Sequence, residues 1–216
     1  MVTCCQCEGL ERQFGRKTAE KELRRFRRSG PIPTTRALIE ALRAQGIDGA
    51  SVLDIGGGIG AVHHVLLDAG ASDAVHIEVS PDYLELSRDE SIRLRHDDRV
   101  QFVRGDFVQL APTTSPADVV TLDRVICCYP DMERLVSASA GKARRLYGAV
   151  YPRDAWWVRA ALSLTNAFMR LRRTAFRVFL HSPAAIDGVL RRSGLEPRTL
   201  QRKFLWEIAV YARSGD

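Results

Sequence analysis

The stretch VLDIGGGIGA, residues 52–61, sets four glycines within five positions directly after an apolar run. A buried strand that empties into such a loop brings its backbone close to a ligand, because glycine turns through positive φ and puts no Cβ in the way. Two patterns overlie the same residues. Gly56-x-Gly58-x-x-Ala61 satisfies the fingerprint in which backbone amides and a helix N-terminus receive a pyrophosphate. Asp54-x-Gly56-x-Gly58-x-Gly60 places a carboxylate two residues before the first glycine, where it would repel a pyrophosphate and welcome a cation. Both patterns need the same tight turn, so the loop by itself leaves the ligand open.

Working outward, strands and helices alternate. AVHHVLLDAG follows the loop as a helix stopped at Gly70, and AVHIEV (74–79) is a second strand. Ser80-Pro81 caps a helix, PDYLELSRDESIRL, and VQFVRGD and ADVVTLD are a third and fourth strand. Residues 131–145 read as helix and LYGAVY as a fifth strand. Upstream, a basic arm is expected to be helical from Thr18 to Arg28, and Thr34 is expected to cap the amphipathic run ALIEALRAQ. Downstream, Ser182 and Pro183 open SPAAIDGVLRRSG as a helix. LEPRTLQRKF and LWEIAVYAR then follow with no room for a crossover helix, so they should pair antiparallel. The expected fold is α/β: a Rossmann-like, mostly parallel sheet with helices on both faces and a C-terminal antiparallel hairpin. The expected organisation is an N-terminal arm, residues 1–33, ahead of one domain, 34–216, with an insertion at about 153–181.

The chain has 216 residues, 45% hydrophobic and 27% charged, enough for one domain with a sizeable core. Its formal charge of +6 gathers in RKTAEKELRRFRR (16–28) and between Arg153 and Arg177, which reads first as solvated helix faces. No segment approaches the roughly 20 uninterrupted apolar residues of a membrane span, and the N-terminus lacks an export pattern, so a cytoplasmic protein is expected. Five cysteines then read as free thiols or ligands rather than a disulfide framework. Cys4-x-x-Cys7 with Cys5, and the pair Cys127-Cys128, keep a soft-metal or arsenite-binding alternative open, but no metal ligand set is assigned.

Further residues decide the ligand. Glu78 at the end of strand two can accept from both hydroxyls of a ribose, and Gly105-Asp106-Phe107 after strand three offers an acid beside an apolar wall, suited to an adenine amino group. With VLDIGGGIG, HIEVSP, VRGDF and ADVVTLDRV in this order, residues 34–216 resemble the class I S-adenosylmethionine (SAM) dependent methyltransferases. The resemblance implies SAM as cofactor. It implies that Asp54, Gly56, Gly57, Gly58 and Gly60 surround the methionine part, that Glu78 and Val79 take the ribose, that Gly105, Asp106 and Phe107 frame the adenine, and that Asp123 lies near the methionine end.

The acceptor should enter beyond the carboxyl ends of the strands, beside DRVICCYPD (123–131). That stretch is not the Asn-Pro-Pro-Tyr type of nucleic-acid amino methyltransferases. It argues for a small-molecule acceptor and against RNA, which stays as an alternative because of the basic clusters. Tyr129 and His181 are the candidate orienters or bases. In the insertion, Trp157, Ala160, Ala161, Leu164, Phe168 and Leu171 recur at helical spacing; Trp157, Leu164 and Phe168 are expected to line an apolar acceptor pocket under a lid, with arginines at its border. A flat, apolar or aromatic, possibly anionic acceptor and O-methylation follow, in an arrangement that loosely resembles the magnesium-protoporphyrin O-methyltransferases.

Overall fold

The structure, a computed structural model, describes residues 15–172 and 174–214. Its centre is a seven-stranded sheet in the order β3-β2-β1-β4-β5-β7-β6. The strands are β1 (Ser51–Ile55), β2 (Asp73–Glu78), β3 (Val100–Arg104), β4 (Ala117–Asp123), β5 (Ala143–Pro152), β6 (Leu195–Lys203) and β7 (Trp206–Arg213). Strands β1 to β5 run parallel, while β7 pairs antiparallel with both β5 and β6. The sheet and its antiparallel ending match the expected fold.

The helices are α1 (Arg16–Ser29), α2 (Pro33–Arg43), α3 (Ala61–Asp68), α4 (Pro81–Leu94), α5 (Phe107–Leu110), α6 (Met132–Ala140), α7 (Trp156–Leu171) and α8 (Pro183–Arg192). Two apolar layers sandwich the sheet. On one face Leu38 and Leu42 of α2 and Val62 and Leu66 of α3 pack on Val52, Val119 and Val210. On the other, Phe107 of α5, Leu135 of α6 and Ile186 and Leu190 of α8 pack on Leu53, Ile55, Ile77 and Leu122. Because side chains alternate along a strand, this division also decides which β1 residue faces which layer. Val52 and Asp54 share one face; Leu53 and Ile55 share the other.

One helix cap differs from expectation and another matches it in position. Ile32, not Thr34, holds the N-cap of α2; Pro33 opens that helix and Thr34 is buried within its first turn. Ser182 stands at the N-cap of α8 without a side-chain hydrogen bond. The basic helix α1 is also more than an arm: Ala19 and Leu23 bury against Ile59, Tyr83 and Leu86, and Arg27 pairs with the buried Glu90 at 2.6 Å. Among the described residues no helix is long and apolar enough to cross a membrane.

Candidate active site

The glycine loop leaves β1 through left-handed conformations at Gly56 (φ 61°), Gly58 (φ 57°) and Gly60 (φ 83°), which other residues rarely adopt. Its crowding is equally restrictive. A Cβ on Gly56 would sit 2.7 Å from Val125 Cγ2, and one on Gly60 would sit 2.6 Å from Ser87 Oγ. A Cβ on Gly57 would collide with the Asp54 carboxylate beneath it.

A cavity of about 390 Å³ opens against this loop. Gly56, Gly58, Glu78, Val79, Gly105, Asp106, Phe107 and Asp123 all line it, so residues drawn from four different strand ends meet as expected. Glu78 is fixed by backbone amides: its Oε2 accepts from Gly58 at 3.0 Å, and its Oε1 accepts from Val79 and Ser80 at 2.8 and 2.9 Å. Burial pushes this carboxyl up, and the Ser80, Gly58 and Val79 amides pull it back toward ionisation. Oε2 keeps an acceptor position for a hydroxyl in the cavity. Asp106 caps α5 through Val108 N at 3.0 Å and accepts from the Tyr129 hydroxyl at 3.2 Å. Asp123 accepts from the Thr35 hydroxyl and pairs with Arg124; burial pushes its carboxyl up, against the pull of Arg124.

Several expected site residues lie elsewhere. Asp54 does not line the cavity: strand parity turns it to the opposite face, fully buried, where it accepts from Thr121 at 2.7 Å and meets His63 Nδ1 at 2.9 Å. Gly57 and Gly60 shape the loop from behind rather than facing the cavity. The lid expectation is corrected in its residues. Leu164 and Phe168 point outward at 72% and 54% exposure, and Trp157 packs at a tilt against Phe204 with ring centroids 5.3 Å apart. The apolar wall comes instead from Leu162 on the other side of α7, from Phe176 and Val178 in the segment after it, and from Trp206. A periodic stripe announces a helix, but α7 presents its stripe to the outside.

His181 also misses the cavity. Its Nε2 donates to the Tyr129 carbonyl at 2.9 Å and its ring borders a neighbouring cleft with Asp154 and Arg159. That bond orders the backbone that carries Tyr129. Tyr129, Cys127 and Cys128 do line the main cavity. The two sulfurs lie 3.9 Å apart and Cys127 reaches the Arg124 carbonyl at 3.4 Å. The contact between them favours a thiolate on Cys128, holding it below the ordinary thiol range and pushing Cys127 above it. Cys4, Cys5 and Cys7 lie outside the described residues. Glu22, delivered by α1, lines the cavity without a sequence signal, and Arg124, within the stretch expected beside the acceptor, lines it at φ 62° directly after β4.

A family model described as a methyltransferase domain matches residues 53–144, which hold the glycine loop, Glu78, Asp106 and Asp123. Residues 53–144 thus carry a methyltransferase domain. The chain is 42% identical over 65 residues to the ribosomal protein L11 methyltransferase of Ectopseudomonas mendocina, a match covering 30% of this chain and 22% of that protein. The matched part thus spans under a quarter of that curated relative. Among solved structures it is similar in fold to the magnesium protoporphyrin IX methyltransferase of Synechocystis PCC 6803 with bound S-adenosylhomocysteine, with a TM-score of 0.75 at 19% identity over 97% of this chain and 100% of that one. An O-methyltransferase family protein from Burkholderia thailandensis has a TM-score of 0.71 at 17% identity, covering 96% of this chain and 64% of that one.

Proposed function

We propose that this protein is a SAM-dependent methyltransferase that moves the methyl group of SAM to an oxygen of a small, apolar or aromatic acceptor. One observation carries the reading: a single cavity is lined both by the Glu78, Asp106 and glycine-loop groups and by the apolar side chains of Leu162, Phe176, Val178 and Trp206. The first set fits SAM. Glu78 would accept from the ribose hydroxyls, Asp106 from the adenine amino group beside Phe107, and Gly56 and Gly58 let the backbone come close without a Cβ. Glu22 and Asp123 supply the negative charge that a cationic cofactor needs, the part first expected of Asp54.

When bound, SAM would supply a methyl activated by a positive sulfur that can keep the electron pair, for an acceptor oxygen that has already given its proton to solvent. What remains for the protein is alignment, and alignment of that kind supplies about 7–11 kcal/mol. Leu162, Phe176 and Val178 would hold a flat acceptor and exclude water, while Tyr129, tied to Asp106 through its hydroxyl and to His181 through its carbonyl, fixes the cavity wall. That tie favours Tyr129 as a positioning residue over a base.

A screen of phenols and aromatic carboxylates with isotope-labelled SAM tests the reading. Transfer to an oxygen, with KM raised by Phe176→Ala and SAM affinity unchanged, supports it; transfer only to nitrogen, or only to RNA, contradicts it. The Cys127-Cys128 pair in the same cavity supports a second reading, a soft metalloid acceptor such as arsenite. Methylation of arsenite, lost in Cys128→Ser, would favour that reading over the first.

A further inference from the structure

On the sheet face opposite the cavity, the residues beneath the glycine loop form a group that methyl transfer does not use. Asp54 of β1 stands between His76 of β2 and Thr121 of β4 in the sheet register, and His63 of the first turn of α3 comes down onto it. Asp54, His63 and His76 are each fully buried. His63 Nδ1 lies 2.9 Å from Asp54 Oδ2 and 3.3 Å from His76 Nδ1, and the three residues each offer a ligand atom within 4.8 Å of the others.

Hydrogen bonds alone serve this triangle poorly. A neutral imidazole nitrogen carries either a hydrogen or a lone pair. If His63 Nδ1 donates to Asp54, the same hydrogen must also serve the His76 lone pair. If His76 donates instead, the Asp54 carboxylate faces a lone pair. The far nitrogens, Nε2 of His63 and of His76, are buried with no hydrogen-bond partner, so no acceptor there fixes either tautomer. A cation at the centre takes all three lone pairs together, and the ring hydrogens move to Nε2. The two distances from His63 suit that arrangement, since donors about 2.0–2.2 Å from a divalent first-row ion stand roughly 2.9–3.4 Å from one another.

We propose that Asp54, His63 and His76 form a structural binding site for a divalent transition-metal ion, zinc above all, beneath the cofactor loop. Two imidazoles and one carboxylate without a thiolate suit zinc and admit cobalt, and a fourth position remains for a water. Burial lowers the pKa of both His63 and His76 to about 3, which leaves their lone pairs free at neutral pH. The same burial pushes the Asp54 carboxyl up, a penalty that an adjacent cation relieves. The site has no opening to solvent, so the ion enters as the chain folds. Once bound, it ties α3 to β1 and β2 directly behind Gly57, where an added Cβ would meet Asp54 and His76.

The test uses the full chain expressed in minimal medium with added zinc or cobalt, then purified through a chelator. The expected results are about one ion retained per chain and, with cobalt, visible d–d bands without thiolate charge-transfer absorption. His63→Asn and His76→Asn should each bring the metal content to background, while Cys127→Ser with Cys128→Ser should retain it. If the histidine variants do not fold, the cobalt spectrum of the unaltered protein decides. Metal content below about one-tenth of an ion per chain, a thiolate signature, or full retention by a folded histidine variant would overturn the proposal.

Discussion

The glycine loop and helix α7 border the same cavity and are built in opposite ways. Around the loop each group is held from several directions: Glu78 accepts three backbone amides, Asp106 a backbone amide and a hydroxyl, and Gly56, Gly57 and Gly60 have no space for a side chain. Along α7 only Val158 is buried, while Trp156, Leu164, Phe168 and Leu171 stand 54–81% exposed. A site held in one geometry suits a cofactor that never varies. A helix attached along one edge leaves the acceptor wall free to differ without disturbing the sheet, which is how one fold comes to serve many acceptors.

The sharpest way to break this contrast is Gly57→Ala. The added methyl meets the fully buried Asp54 and His76, which cannot retreat, so stability should fall by at least about 1–3 kcal/mol and SAM binding should be lost with it; a stable variant that still binds SAM would show that the loop is looser than described. Next in size is Glu78→Ala. Losing a charged hydrogen bond of about 1.5–3 kcal/mol should weaken SAM by about tenfold to a hundredfold, measured by calorimetry.

Acid should act on the buried face of the loop. His63, His64 and His76 have pKa values lowered to about 3, 2 and 3 from an ordinary 6.5, so below pH 6.5 the unfolded chain binds more protons than the native one. The stability they contribute is present above 6.5 and is lost as pH falls toward 3, at up to about 1.4 kcal/mol per pH unit for each ring. Asp54, pushed up by burial, works in the opposite direction with a single group. Melting temperature should therefore drop steadily below pH 6.5, and a flat profile from 7 to 4 would contradict the buried cluster. The smallest effect is on α7: Leu164→Ala and Phe168→Ala should change stability by no more than about 0.5 kcal/mol, whereas Phe176→Ala, at a residue 3% exposed, should cost about 3 kcal/mol or more.

The parts legible in sequence are those where backbone geometry dictates residue type. Gly56, Gly58, Glu78 and Asp106 follow strand ends within short motifs, and the antiparallel ending follows from two strands with no helix between them. The direction of a side chain was harder to read. Asp54 looked like a ligand because it precedes the first glycine, yet its parity with Val52 sends it to the other face. The stripe of α7 was visible, but periodicity identifies an apolar side and not what covers it; Leu162, on the opposite side, is the one that reaches the cavity. The gathering of His63 and His76 could not be read at all, since it depends on the parallel register of Asp54 with His76 and on α3 returning over both. Glu22 arrives from a helix that looked like a solvated arm, and only the burial of Ala19 and Leu23 brings it in.

Calorimetric titration of the purified protein with SAM and, separately, with NAD tests the central claim most directly, because the glycine loop taken alone admits either ligand. The account predicts saturable one-to-one binding of SAM, weakened in Glu78→Ala, and no heat from NAD. Binding of NAD without SAM, or SAM binding untouched by Glu78→Ala, would contradict it.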